Sequence, residues 1–66
     1  MVTDELTERQ LEVAHLIDRG LTYPEIGVEL GISARTAKAH AFAIRSKYGI
    51  THKRLISSEL RDRGVI

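Results

Sequence analysis

Basic side chains are concentrated in one part of this chain, and their types and spacing indicate what they could bind. Residues 30–58, here called the basic segment, contain six bases and no acid: Arg35, Lys38, Arg45, Lys47, Lys53 and Arg54. Residues 1–29 contain seven acids and two bases, and the whole chain has a net charge of +1. This asymmetry suggests a basic surface for a polyanion. The alternative is a bipolar domain whose two halves pair with each other.

The sequence offers few residues for catalysis or for a metal site. It has no cysteine, which excludes disulfides, thiolate metal ligands and a cysteine nucleophile. The histidines at positions 15, 40 and 52 are too far apart to form a metal motif. No glycine-rich phosphate loop precedes a helix, and 66 residues leave too little volume for a pocket. We therefore expect no enzyme activity, no cofactor, no metal and no small-molecule ligand.

The location of the protein is also constrained by composition. No apolar run approaches the roughly 20 residues that a transmembrane helix needs. The first residues, Met1 to Glu5, are polar and acidic, unlike a secretory signal. We expect a cytoplasmic protein.

Four helices, at about 8–19, 23–30, 34–48 and 52–63, are predicted from start and stop signals. Thr7 with Gln10 and Thr22 with Glu25 have the spacing of capping boxes. Ser33 is predicted to cap the third helix and Thr51 the fourth, and a glycine follows each helix. The connections of two to four residues leave no room for a linker, so residues 1–66 form one domain. No segment alternates like a β-strand, and the fold class is all-α.

Apolar residues at helical spacing predict the core. The predicted core residues are Val13, Leu16, Ile17, Ile26, Leu30, Ala37, Ala41, Ile44, Tyr48, Leu55, Ile56 and Leu60. Leu21, Ile32 and Ile50 are predicted to fill the loops, and His40 to pack between the second and third helices. A domain of this size buries only about 60% of the surface of its unfolded chain, so we expect modest stability.

Residues 23–43 fit a helix-turn-helix in their spacing. A short helix ends at Leu30, a turn of three residues follows, and a longer helix begins after Ser33. Gly31 can adopt a positive φ angle in the turn, and Gly27 leaves room for the two helices to approach closely. A glycine-containing turn between two such helices is typical of DNA-binding domains.

The chain resembles the LuxR-type, or GerE-like, helix-turn-helix family. The resemblance rests on runs in the family's order and spacing: LTERQ at 6–10, GLT at 20–22, EI at 25–26, LGIS at 30–33, RTAKAH at 35–40 and KYGI at 47–50. It extends over residues 6–66. It implies a tetrahelical transcription-factor domain without a wing, whose third helix lies in the major groove. It also implies that the fourth helix mediates dimerisation on a two-fold DNA site.

The sequence departs from the family pattern in four respects. Ala37 replaces a usual valine, Ala14 replaces a usual leucine, and Phe42 stands where the family often has a polar or basic residue. Most members also have a sensor domain ahead of this module, and none precedes it here. The chain is either a stand-alone regulator or a fragment, and Met1 with the set of caps favours the stand-alone regulator.

The resemblance places base contacts on Lys38, Ala39 and Phe42, and Arg35 lies on the same face of the helix. Lys38 could donate to guanine, while Ala39 and Phe42 could contact thymine methyl groups. The alternatives are a solvated lysine or a phosphate contact at Lys38, and simple helix propensity at Ala39. For Phe42 the alternatives are an anchor for a protein partner or a residue at the edge of the core.

Residues at helix N-termini and along the basic segment are candidate phosphate contacts. They are Thr22, Ser33, Thr36, Arg45, Ser46, Lys47, Lys53 and Arg54. The alternative for Thr22 and Ser33 is capping alone, and for the basic residues a solvated face. On the fourth helix, four residues form a candidate dimer interface: Leu55, Ser58, Glu59 and Asp62. The alternative is a helix that only closes the core.

We therefore expect a sequence-specific, DNA-binding transcriptional regulator of prokaryotic or phage origin, associated with the nucleoid. Its expected partners are double-stranded DNA and a second copy of itself, and RNA polymerase is a further candidate. The alternative is a protein-interaction module, an adaptor or anti-repressor, that uses an exposed Phe42.

Overall fold

The computed structural model describes residues 6–66, and it is all-helical over that range. The helices are α1 (Glu8–Asp18), α2 (Tyr23–Leu30), α3 (Ala34–Tyr48) and α4 (Ile56–Asp62), with a short 3-10 helix, η1 (Lys53–Leu55), directly before α4. No strand occurs among the described residues. The all-α prediction is confirmed. The acidic residues Asp4 and Glu5, which contribute to the predicted charge asymmetry, lie outside this range.

Capping boxes begin α1 and α2, as the sequence predicts. The Thr7 hydroxyl accepts from the Gln10 N–H at 3.1 Å, and the Gln10 side chain accepts from the Thr7 N–H at 3.0 Å. The Thr22 and Glu25 pair repeats this arrangement at 3.3 and 2.8 Å. These bonds satisfy N–H groups that a helix N-terminus otherwise leaves without partners.

The fourth helix differs from the prediction of a single helix over 52–63 capped by Thr51. The chain first forms η1, in which the Leu55 N–H donates to the His52 carbonyl at 3.0 Å, and α4 begins only at Ile56. Neither η1 nor α4 has a side-chain cap. The prediction that Thr51 caps this helix is wrong, because the first turn is tightened into i→i+3 geometry that begins one residue later, at His52.

The core lies where α1, α3 and α4 meet, with α2 packed against α3. Its buried apolar residues are Val13, Ala14, Leu16, Ile17, Ile26, Ala37, Ala41, Ile44, Ile50, Ile56 and Leu60. Leu30, Tyr48 and Leu55, predicted as core residues, are only partly buried and line its edge. Ala14, which is not among the predicted core residues, is fully buried.

Candidate nucleic-acid interface

One face of α3 is buried and the opposite face is exposed, as the helical spacing predicts. Ala37, Ala41 and Ile44 have no exposed surface. Five exposed residues form the surface called here the recognition face: Arg35, Lys38, Ala39, Phe42 and Ser46. Phe42 is 62% exposed, which places it in solvent and not at the edge of the core.

The position of α3 depends on a close approach at Gly27. A Cβ atom at Gly27 would lie 2.5 Å from the Ile32 carbonyl oxygen and 3.2 Å from the Ala34 nitrogen, which both belong to the backbone. Gly31 at the end of α2 has a φ of 71°, in the left-handed region that favours glycine. These two glycines let the chain turn sharply and begin α3 directly against α2. The predicted roles of both residues are therefore supported.

No basic residue of the basic segment forms an ion pair with a carboxylate within residues 6–66. The ion pairs within residues 6–66 are Arg9 with Glu12, Arg61 with Asp18, and Arg63 with Glu59. No base of the basic segment takes part in them. Among the described residues, the two halves are therefore not joined by ion pairs, and the charge of Lys53 acts on Glu25 without one.

Of the hydroxyl residues predicted to bind phosphate, Thr22 and Ser33 act as helix N-caps. Ser33 accepts from the Thr36 N–H at 3.0 Å and donates to the Thr36 hydroxyl oxygen at 2.9 Å. Thr22 and Thr36 remain at exposed positions, as does Ser33. The capping role of Thr22 and Ser33 is confirmed, and phosphate binding by the three residues stays a prediction.

The N-terminus of α2 already holds a carboxylate of this chain. Glu25 accepts from the Thr22 backbone N–H, and this bond, together with the Thr22 hydroxyl and the nearby charge of Lys53, lowers the pKa of the carboxyl. Lys53 lies over the ring of Tyr23, with 4.3 Å from Nζ to the ring centroid. These contacts hold η1 beside the start of α2, so that two predicted phosphate contacts, Thr22 and Lys53, lie in one region.

Arg45 differs from the other predicted phosphate contacts because its guanidinium binds the chain's own backbone. Nε donates to the Ile50 carbonyl at 3.3 Å, and a terminal nitrogen donates to the Thr51 carbonyl at 2.9 Å. The guanidinium carbon also lies 5.9 Å from the centroid of the Phe42 ring. Lys47 and Arg54, in contrast, are exposed.

The candidate dimer residues on α4 have contacts within the chain. The Ser58 hydroxyl donates to the Leu55 carbonyl at 3.2 Å, and Glu59 pairs with Arg63 at 3.7 Å. Asp62 is exposed. Their proposed role in a dimer stays a prediction.

Two further observations concern residues outside the recognition face. Val28 on α2 is 86% exposed, a feature that the sequence reasoning missed although α2 buries the neighbouring Ile26 and Gly27. His40 is half-buried, between the fully packed and exposed faces of α3.

In the range 6–66 no three His, Asp or Glu side chains cluster as metal ligands would, and no helix is long and apolar enough to cross a bilayer.

Two helices joined by a three-residue turn, with an exposed and acid-free second helix, define a helix-turn-helix domain. Comparison with known families agrees: the family of bacterial regulatory proteins called the luxR family matches residues 4–58. The chain belongs to this family. A helix-turn-helix domain of this family is a DNA-binding domain of transcription regulation.

Curated relatives show the same relationship. The chain is 42% identical over 50 residues to the transcriptional regulatory protein LiaR of Bacillus subtilis, covering 76% of this chain and 24% of that protein. It is 41% identical over 49 residues to the transcriptional activator protein YukR of Yersinia ruckeri, covering 74% of this chain and 21% of YukR. It is 35% identical over 49 residues to the transcriptional regulatory protein UhpA of Escherichia coli, covering 74% of this chain and 25% of UhpA.

The aligned region thus spans about a quarter of each of these relatives. No solved structure gave a significant match.

Proposed function

We propose that this domain binds specific sequences of double-stranded DNA, with α3 in the major groove, and that it regulates transcription. The observation that carries the proposal is the recognition face of α3, which is exposed and acid-free and whose two bases, Arg35 and Lys38, pair with no described carboxylate. An α-helix fits the major groove, and the first turns of a recognition helix contact base edges. The names of the relatives support a role in transcription.

The proposed contacts to DNA base edges are made by four residues of the recognition face: Lys38, Ala39, Phe42 and Arg35. Lys38 would donate to O6 and N7 of guanine, and Ala39 with Phe42 would contact thymine methyl groups. Only two of these four side chains can donate hydrogen bonds. Direct readout is therefore sparse, and DNA shape would supply part of the specificity.

Phosphate contacts would fix the register of α3 on the duplex. The proposed contacts are Thr22, Ser33, Thr36, Ser46, Lys47, Lys53 and Arg54. Each phosphate that a lysine or arginine side chain neutralises adds about 0.9 to the negative slope of log K against log salt. The basic segment contains several lysine and arginine side chains that form no ion pair, so we expect a steep negative slope of log K against log salt. A flat slope would contradict the proposal.

A homodimer on a two-fold DNA site is the proposed assembly, with Leu55, Ser58, Glu59 and Asp62 of α4 at its interface. A two-fold dimer uses the same surface patch on both copies, and a single helix face can supply such a patch. The site of action would be the bacterial nucleoid in the cytoplasm, and RNA polymerase is a proposed protein partner there.

Selection of bound duplexes from random DNA tests the proposal. A recovered sequence with two inverted half-sites would support both specific binding and the dimer, and the spacing of the half-sites would give the dimer geometry. Recovery of no preferred sequence would overturn specific recognition. A single half-site would overturn the dimer but not DNA binding.

Lys38→Ala tests the assignment of base contacts on that selected duplex. We expect a loss of about 1–3 kcal/mol of binding free energy and a relaxed preference at one base pair. Fluorescence anisotropy against duplexes altered at each position measures both quantities. If the variant bound every sequence more weakly by the same factor, Lys38 would be a phosphate contact instead.

A second candidate function, a protein-interaction module, is favoured by the exposure of Phe42. Exposed aromatic side chains often anchor protein partners. The two functions respond differently to substitution in a cell-based reporter assay. Charge reversal at Arg35 and Lys38 should abolish a DNA-dependent activity, whereas Phe42→Ala alone should abolish an activity that depends only on a protein partner.

A further inference from the structure

Arg45 joins three parts of the domain that the proposed function requires to act together. Its backbone carbonyl accepts from the N–H groups of Gly49 and Ile50, the latter at 2.8 Å, and so closes the end of α3. Its side chain donates to the carbonyls of Ile50 and Thr51 at 3.3 and 2.9 Å. One residue therefore binds both the beginning and the end of the loop 49–51.

The same guanidinium lies beside the recognition face. It is 5.9 Å from the centroid of the Phe42 ring, at the outer limit of a cation–π contact. On the far side of the loop, η1 has no side-chain cap. The loop that leads to Lys53 and Arg54 is thus held at its start by the Gly49 cap of α3 and along its length by Arg45, while no side-chain cap holds it at η1.

We propose that Arg45 is a positioning residue for DNA recognition, which fixes the loop 49–51 and the Phe42 ring so that α3 and the bases of η1 meet the duplex in one register. The proposal rests on the function proposed above. It replaces the prediction that Arg45 is a phosphate contact. A guanidinium suits this role because its planar fork can donate to two carbonyls at once, which a lysine ammonium does less well.

The charge-conserving variant Arg45→Lys separates the two roles. A phosphate contact depends mainly on charge, and lysine binds phosphate well. A positioning role depends on the fork, which lysine lacks. We expect R45K to bind the selected duplex about tenfold more weakly, because the two carbonyl hydrogen bonds of the guanidinium are lost or weakened.

Binding of R45K to a scrambled duplex of the same composition should change little, since non-specific binding depends on total charge. The ratio of the two affinities should therefore fall, while the salt dependence stays that of the parent chain. Near-parental binding of R45K to both duplexes would overturn the proposal in favour of a phosphate contact. An unchanged ratio in a folded but less heat-stable R45K would overturn it in favour of a purely structural role.

Lys47→Gln is the matched control, because Lys47 is an exposed base two residues away. If Lys47 is a simple phosphate contact, the K47Q variant should bind both duplexes more weakly by the same factor, and its salt slope should be smaller by about 0.9. R45Q should differ from K47Q by lowering the affinity ratio while leaving the salt slope close to that of the parent chain. If R45Q and K47Q gave the same profile, Arg45 would act through its charge and the proposal would be overturned.

Side-chain NMR of the parent chain tests the proposal even if the Arg45 variants fail to fold. The Arg45 Nε–H should exchange slowly with water in the free domain and should remain slow when the selected duplex is added. The exposed Arg35 supplies the comparison and should exchange fast in the free domain. Equal exchange rates for the two arginines in the free domain, or fast exchange of the Arg45 Nε–H in the complex, would overturn the positioning role.

The free-domain measurement also separates this inference from the proposed function. If selection recovers no preferred duplex, sequence-specific binding fails irrespective of what Arg45 holds. If a duplex is recovered and Arg45 exchanges freely, only the positioning role fails.

Discussion

The segment from α1 to the start of α3 and the segment that follows α3 are stabilised by different kinds of contact. In the first, each helix begins at a threonine or serine whose hydroxyl accepts an N–H three residues ahead. In the second, neither η1 nor α4 has a side-chain cap. Arginine side chains hold this second segment, through contacts that span 5, 6, 15 and 43 residues along the chain.

This difference has a consequence for how each segment responds to substitution. Local caps stabilise a single helix, and their loss shortens or frays that helix. Arginine contacts between elements fix the distances between helices. We therefore expect substitutions before α3 to affect chiefly the stability of the domain. Substitutions after α3 should affect chiefly the position of the basic side chains of η1, Lys53 and Arg54.

The largest expected effect belongs to Gly27→Ala. The new methyl group would lie 2.5 Å from a backbone carbonyl oxygen, so α3 would have to move away from α2. Overpacking of this kind typically costs about 1–3 kcal/mol and outweighs the better helix propensity of alanine. Chemical denaturation gives the loss of stability, and binding to the selected duplex should fall as well.

Val28→Ala in the same helix is the control for Gly27→Ala, since Val28 is 86% exposed. It should leave the denaturation midpoint nearly unchanged. A parental stability of G27A would show that the α2–α3 angle adapts freely and that the close approach is not required.

A smaller effect, about 1 kcal/mol, is expected for Thr22→Ala, because it removes a capping hydroxyl. Thr51→Ala provides the direct comparison between the two segments. The carbonyl of Thr51 accepts from Arg45, and a backbone carbonyl survives substitution, so we expect T51A to be close to neutral. Thermal unfolding of the two variants measures the difference, and equal losses would show that Thr51 also stabilises its helix through the hydroxyl.

The contrast between the segments also explains which features could be predicted from sequence. Thr7, Thr22, Ser33 and Gly31 act on neighbours within four residues, and short-range signals of this kind located the first three helices correctly. The exposed face of α3 followed from helical spacing alone.

The contacts of Arg45 and Arg61 could not be predicted in the same way. They depend on where separate helices come to lie, and an arginine that binds a backbone carbonyl has the same sequence signal as one that binds phosphate. The 3-10 geometry of η1 was missed for a related reason. Thr51 has the side chain of a capping residue, and nothing in the local sequence indicates that the next residue, His52, begins the turn.

Arg61→Ala should have an effect below about 1 kcal/mol on stability. Its partner Asp18 lies on α1, and the pair joins α1 to α4 across 43 residues, but the Arg61 side chain is 60% exposed. Exposed ion pairs contribute about 0.2–1 kcal/mol and are weakened by salt. Thermal unfolding at low and high salt should show a difference between R61A and the parent that shrinks as salt rises. A difference independent of salt would point to packing of the arginine stem instead.

The smallest expected effect concerns the pH dependence that Glu25 contributes. Its pKa in the folded domain is lowered from 4.5, chiefly by the hydrogen bond from the Thr22 N–H. The folded state therefore binds this proton less readily than the unfolded chain. The resulting stability is fully present above pH 4.5 and is lost as the pH falls through the lower folded pKa.

Glu25→Gln removes this titration and keeps the capping geometry, since Gln10 makes the same bond at the start of α1. Thermal unfolding at a series of pH values should give parallel behaviour for E25Q and the parent above pH 4.5. Below it, the parent should lose more stability than E25Q. Identical acid profiles would mean that the carboxylate gains nothing from the helix N-terminus and that the cap at Thr22 works equally well with an uncharged partner. The local contacts before α3 would then be independent of charge, which would widen the contrast with the arginine contacts that follow it.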